Sequence, residues 1–211
     1  MNTSATPPDT EHRSPLENVL RSHGATMVER NGRCVAAHFG SATSEAAVCL
    51  STVGIADRGD RATLELRGAP DDVEVALSAL AALRSRSWFS RVTPRSAIVR
   101  CEGSDAPACR GALAALEGTT VLECGDRFAA IGIVGPRARE LLRARELEAA
   151  EVPAVVLRET DASFEILVQA TQGPAQWEKL LEIGAPFAVA CVGLDALEHL
   201  AASHRLGSAI G

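Results

Sequence analysis

The residue types that most often carry chemistry are few in this chain and poorly spaced for it. The cysteines are Cys34, Cys49, Cys101, Cys109, Cys124 and Cys191, with no two of them in a CxxC pair. Metal and redox sites draw ligands from close pairs, so no metal site is expected. Cys49 and Cys109 fall on apolar helical faces and Cys191 in an apolar run, which reads as small buried hydrophobes in a reducing compartment. The histidines cluster no better: His23 and His38 flank one strand, and His199 and His204 stand five apart, off a common helical face. Arginines gather at Arg84, Arg86, Arg91, Arg95 and Arg100. They read as an anion-contacting loop or, preferably, as a solvated connection over 84–96 anchored by Trp88 and Phe89. Neither G-x-G-x-x-G nor a P-loop string occurs, which argues against a dinucleotide or Walker site. Of the acids, Asp57 and Asp60 belong to a polar turn, and Glu165 alternates with Phe164 and Ile166 as an exposed strand residue would.

The elements that must position these residues come from hydrophobic period. Residues 33–39 read as a strand running into Gly40-Ser41, where a helix starts. Ala42, Ala46, Cys49 and Val53 then recur on one helical face, Gly54 ends the helix, and 62–67 alternate as a strand. Ala69-Pro70-Asp71-Asp72 opens a helix with its acids at the positive end and Val73, Ala76, Leu77, Leu80 and Leu83 inward. A strand is expected over 97–101, a helix from Ser104 to Leu116, and a hairpin of 121–124 with 128–134 across Gly125-Asp126. A second hairpin joins 155–158 to 164–168. Helices start at Gly135-Pro136 and Gly173-Pro174, and a last one covers about 196–202. Three times a strand runs into Gly-Pro or Gly-Ala-Pro and a helix, the rhythm of repeated split β-α-β units.

Bulk properties narrow the classes. A net charge of −6 argues against a nucleic-acid binder, which needs a basic face. No apolar run approaches the ~18–20 residues of a membrane span, and the polar, Pro-containing start is unlike a secretory signal. Cytoplasmic location is the expectation. Residues 1–14 are expected to be a disordered tail, and 15–211 one folded domain with subdomains over 15–118 and 119–206.

The stretch 24–68 also resembles a family. Gly24, Ala25, Met27, Val28, Phe39, Gly40, Ser41, Glu45, Gly54, Asp57 and Gly68 follow, without a gap, the pattern of glycine-cleavage T-proteins (aminomethyltransferases). In the second half IVGPRARELL, SFEILVQ, QWEKLLEIG and GLDAL follow in that family's order, so the resemblance covers about 16–83 and 128–206. It implies an α+β folate-binding domain of two β-α-β-type, ferredoxin-like subdomains around a central cleft. It also implies tetrahydrofolate as cofactor, with Glu165 in the position that hydrogen-bonds the pterin and Met27, Phe39 and Asp57 as further candidate contacts.

The departures bear on function. The Gly-rich segment that carries the family's catalytic Asp is shortened to TPRSAIVRCEGSDAP; Asp105, the nearest acid, reads as a helix start, so no catalytic residue is assigned. The chain has no tyrosine, and Leu197, Ala201 and Ser203 replace the family's closing arginines and acid. A C-terminal barrel is not expected, and the KGCYxGQ string of folate-dependent iron-sulfur repair proteins does not occur in the sequence. The resemblance thus implies a folate-like small molecule without ordinary aminomethyl transfer. The alternative is a non-catalytic partner subunit, like the small folate-domain-like subunit of heteromeric sarcosine oxidases, with a vestigial cleft.

Overall fold

The computed structural model describes residues 12–83, 85–148 and 152–208. The chain opens with β1 (His12–Arg13), α1 (Glu17–Ser22), β2 (Thr26–Arg30), β3 (Arg33–His38) and α2 (Ala42–Ser51). β1 pairs in parallel with β3, and β2 antiparallel with it, giving a small sheet in the order β1-β3-β2. The expectation of disorder over 1–14 is corrected at its last residues: His12 and Arg13 are in a strand and Ser14 is buried, while 1–11 lie outside the described residues. Asn31 and Gly32, both at positive φ, turn β2 into β3 as a two-residue hairpin requires. The Ser41 hydroxyl accepts from Ser44 N–H and caps α2, as the sequence anticipates.

The expected end of that helix is corrected. α2 stops at Ser51, and β4 (Val53–Asp57) follows with every residue buried. A short apolar run enclosed on both faces has no alternation to reveal it as a strand. Gly54 serves packing, not termination: a Cβ there would lie 2.7 Å from Cys49 Sγ and 2.8 Å from Val192.

Two repeats of one β-α-β-β-α-β unit make up the rest. The first is β5 (Ala62–Gly68), α3 (Pro70–Ala82), β6 (Ser87–Thr93), β7 (Ser96–Cys101), α4 (Ala106–Ala114) and β8 (Thr119–Glu123), with sheet order β6-β7-β5-β8, antiparallel throughout. The second is β9 (Phe128–Val134), α5 (Ala138–Glu148), β10 (Val155–Arg158), β11 (Ser163–Gln169), α6 (Gly173–Gly184) and β12 (Val189–Cys191), followed by α7 (Leu194–Ser208). Its order is β10-β11-β9-β4-β12, the same arrangement with β4 inserted before the last strand.

Three local expectations change. The segment read as a solvated connection over 84–96 contains β6, an edge strand that carries Trp88 inward. The expected 121–134 hairpin does not form: β8 pairs with β5, and β9 with β4 and β11, so Gly125-Asp126 links two sheets. The first repeat thus runs to Glu123, past the boundary anticipated at 118, and the second sheet borrows β4 from the N-terminal side. The helix expected from Ser104 begins at Ala106, after a 3-10 turn over Gly103–Asp105.

Helices cover the outer faces. Val73, Ala76, Leu77 and Leu80 of α3 and Cys109 and Leu113 of α4 pack on Leu64, Leu66, Ala97, Val99 and Cys101. On the second sheet Leu141, Trp177 and Leu180 pack on Ile131, Ile133, Phe164 and Ile166, together with Leu16 and Leu20 of the N-terminal segment. Each buried leucine or isoleucine contributes roughly 1.5–3 kcal/mol. The two sheets then face each other through Ile98, Cys124, Ala130, Leu157 and Leu167, with Trp88 and Phe128 at the margin. That inter-sheet layer is the place of the expected cleft.

Candidate functional site

Alternation along two strands delivers charge into this layer. In β7, Ala97, Val99 and Cys101 point to the helices, so Ile98 and Arg100 point to the other sheet. In β11, Phe164, Ile166 and Val168 point to the helices, so Glu165 and Leu167 point back. Arg100 and Glu165 meet there, 1% and 0% exposed, in a two-pronged pair: Arg100 Nε donates to Glu165 Oε2 at 2.9 Å and Nη2 to Oε1 at 2.7 Å.

The remaining guanidinium hydrogens are also used. Arg100 Nη1 donates to the Arg61 carbonyl at 2.9 Å and to Thr63 Oγ1 at 2.5 Å, and Nη2 to the Arg58 carbonyl at 2.6 Å. The Arg58 carbonyl belongs to the turn Asp57-Arg58-Gly59-Asp60 and Arg61 directly follows it; the buried Arg58 side chain forks onto Asp60 at 3.0 and 3.1 Å. Gly132 of β9, cross-strand from Glu165, leaves room for the Arg58 stem, which a Cβ would approach to 3.0 Å. Arg61 pairs with Glu102 and Glu159 and lies over the Trp88 ring at 4.3 Å. Three guanidiniums thus meet four carboxylates between the sheets.

Glu165 is therefore buried, where strand alternation alone suggested an exposed acid. Burial alone would raise its pKa; the charge and hydrogen bonds of Arg100, with Arg61 and Arg58, outweigh that and hold it down at about 2. The Arg100 pKa is raised, because Glu165 and Asp60 outweigh its own burial.

Asp57 ends β4 at one side of this network. Its Oδ1 accepts from Gly59 N–H at 2.9 Å, while Oδ2 is buried without a hydrogen-bond partner among the described residues. Burial raises its pKa to about 6, a rise limited by the neighbouring Ser14 hydroxyl and Gly59 N–H. A hollow of about 10 Å³, lined by Asp57, Ser14, Arg61, Thr63 and Arg100, adjoins it and is wide enough for one water. A larger hollow of about 540 Å³ opens between the Asn31–Gly32 turn, Asp60–Thr63 and Glu123–Arg127. Glu165 lines neither.

The structure does not bring the four sequence candidates together. Met27 and Phe39 are half-buried against the cluster that holds Phe164 and Ile166, on the sheet face opposite Glu165. Phe39 stacks on Trp177 with ring centroids 6.5 Å apart. Glu45, matched by the resemblance, ties two backbone segments: Oε1 accepts from Phe39 N–H at 2.7 Å and Oε2 from Gly193 N–H at 2.8 Å. Asp105 accepts from Arg86 N–H at 2.9 Å, so the acid nearest the missing catalytic segment closes a loop. Among the described residues no group of His, Cys, Asp and Glu is arranged to hold a metal ion.

Sequence reasoning missed Arg100 as the partner of Glu165. The signal was present: each strand carries one charge, of opposite sign, on a face whose neighbour (Ile98 or Leu167) is apolar. A charge on such a face must be paired to be buried.

No family profile and no curated protein matches the chain. Solved structures do. The glycine cleavage system aminomethyltransferase T of Bartonella henselae superposes with a TM-score of 0.65 at 16% identity, over 89% of this chain and 61% of that one. The fold is T-protein-like. The chain spans about three fifths of that aminomethyltransferase. A chain of the heterotetrameric sarcosine oxidase of Corynebacterium sp. U-96 superposes with a TM-score of 0.53 at 18% identity, over 83% of this chain and 96% of that one. Among the described residues of this T-protein-like chain, no helix is long and apolar enough to cross a membrane.

Proposed function

We propose that the chain is a non-catalytic, T-protein-like subunit that works beside a partner chain and is not a free-standing aminomethyltransferase. The observation that carries this is the Arg100–Glu165 fork. A pterin edge offers a carboxylate two parallel N–H donors, and a guanidinium offers the same pair. Arg100 supplies from within the chain the contact that the resemblance assigns to tetrahydrofolate. The near-complete coverage of one chain of a heterotetrameric enzyme supports the same reading, since that chain is of similar extent. Calorimetry with tetrahydrofolate tests it: no heat is expected up to millimolar ligand, and saturable one-to-one binding overturns it.

A second reading is favoured by the direction of Glu165, which faces the inter-sheet layer and not solvent. In it Arg100 swings aside, tetrahydrofolate takes Glu165, and Asp57 lies at the lip of the site. Met27 and Phe39 then support the sheet from its far side in place of flanking the ring. Glu165→Ala would weaken such binding by about 30-fold or more, the loss of a charge-assisted pair.

A further inference from the structure

We infer that the outer edge of β6 is the surface on which a protein partner docks, by adding an extended segment that carries acidic and apolar residues. β6 ends its sheet, with β7 hydrogen-bonded on one side and, among the described residues, no strand hydrogen-bonded on the other, so the outward-facing N–H and C=O groups of 87–93 have no described sheet partner. Phe89 and Val92 on this strand are 43% and 52% exposed, in a chain that otherwise buries most of its large apolar side chains. Arg86 and Arg95 flank the strand, both exposed, and neither guanidinium forms an ion pair among the described residues; the Asp105 carboxylate meets only the Arg86 backbone amide. A basic rim on a chain of net charge −6 calls for an acidic complement.

The same charges decide against a second copy. The segment 86–95 holds Arg86, Arg91 and Arg95 and no acid, so self-pairing in any register gathers like charges along one interface with no carboxylate from either strand. Like charges brought together across strands destabilise a pair. The irregularity between Arg91 and Thr93 and the following Pro94 shorten the usable ladder to about 87–91, enough to register one strand.

The surface rests on the subunit reading, yet fails separately from it: tetrahydrofolate binding would overturn that reading and leave the edge untouched. The probe is a blocked peptide of alternating Glu and Val, seven residues long, with a Lys-Val peptide as control. Binding is followed by Trp88 fluorescence and by hydrogen exchange of the 87–91 amides. The Glu-Val peptide is expected to bind at least ten-fold more tightly than the Lys-Val peptide at low salt and to protect those amides. Arg86→Glu combined with Arg95→Glu, both at exposed positions, is expected to abolish that preference. Equal affinity for the two peptides, protection elsewhere on the chain, or concentration-dependent dimers that protect 87–91 without peptide would each overturn the inference.

Discussion

Replacing Arg100 with alanine removes five hydrogen bonds in one step, two of them to Glu165, and leaves that carboxylate 0% exposed with its main partner gone. Breaking a buried ion pair from one side costs about 3–5 kcal/mol, a large share of the roughly 5–15 kcal/mol that holds a domain folded. For a chain of this length each kcal/mol moves Tm by about 2–4 °C, so Arg100→Ala should melt about 6–20 °C below the parent. The cavity left has the shape and charge of a guanidinium, so low concentrations of guanidinium should refill it. With a dissociation constant on the order of 10 mM, 30 mM ligand returns about 0.8 kcal/mol, or a Tm rise of about 2–3 °C. Scanning calorimetry at matched ionic strength is the assay, with sodium as control and the parent protein as reference. Arg100→Met with Glu165→Leu removes both charges and should recover most of the loss. A melting point within 2 °C of the parent for Arg100→Ala, or equal guanidinium responses in variant and parent, would refute the reasoning.

Three further outcomes follow from the buried acids. The Asp57 carboxyl is raised to about 6 from an ordinary 3.8, so folding favours its protonated form. Its ionisation destabilises progressively from about pH 4 to pH 6 and by a constant amount above, on the order of 3 kcal/mol. Asp57→Asn should therefore raise denaturant midpoints at pH 7–8 and leave them unchanged below pH 4; a pH-independent effect would contradict this. Glu165 has the opposite sign: held at about 2 against an ordinary 4.5, it adds stability above pH 4.5 that is lost as pH falls toward 2. Glu165→Gln should accordingly flatten the acid limb of the stability profile, read by urea midpoints between pH 5 and 2. Glu45→Gln turns one acceptor for the Phe39 and Gly193 amides into a donor and should cost about 1–3 kcal/mol, visible as a lower urea midpoint at unchanged slope.

What the sequence determined here was local and periodic. The faces of α3 and α6, the Ser41 cap, the 155–168 hairpin and the repeated strand-to-helix rhythm were all legible, because each is fixed by neighbours within a few residues. The ungapped run from Gly24 to Gly68 likewise carried the T-protein-like fold. What the sequence left open was which strand lies beside which. Two apolar runs joined by Gly125-Asp126 look like a hairpin, yet β8 pairs with β5 and β9 with β4 and β11, each strand completing the sheet of its own repeat. β4 hid for a related reason, since burial on both faces erases the alternation that marks a strand. Glu165 depends on this most. Its place on β11 was readable, but burial and a partner 65 positions away required two sheets to stack face to face. Only tertiary packing puts Arg100 opposite it, and with Arg100 there the carboxylate already holds the two donors that a pterin would have brought.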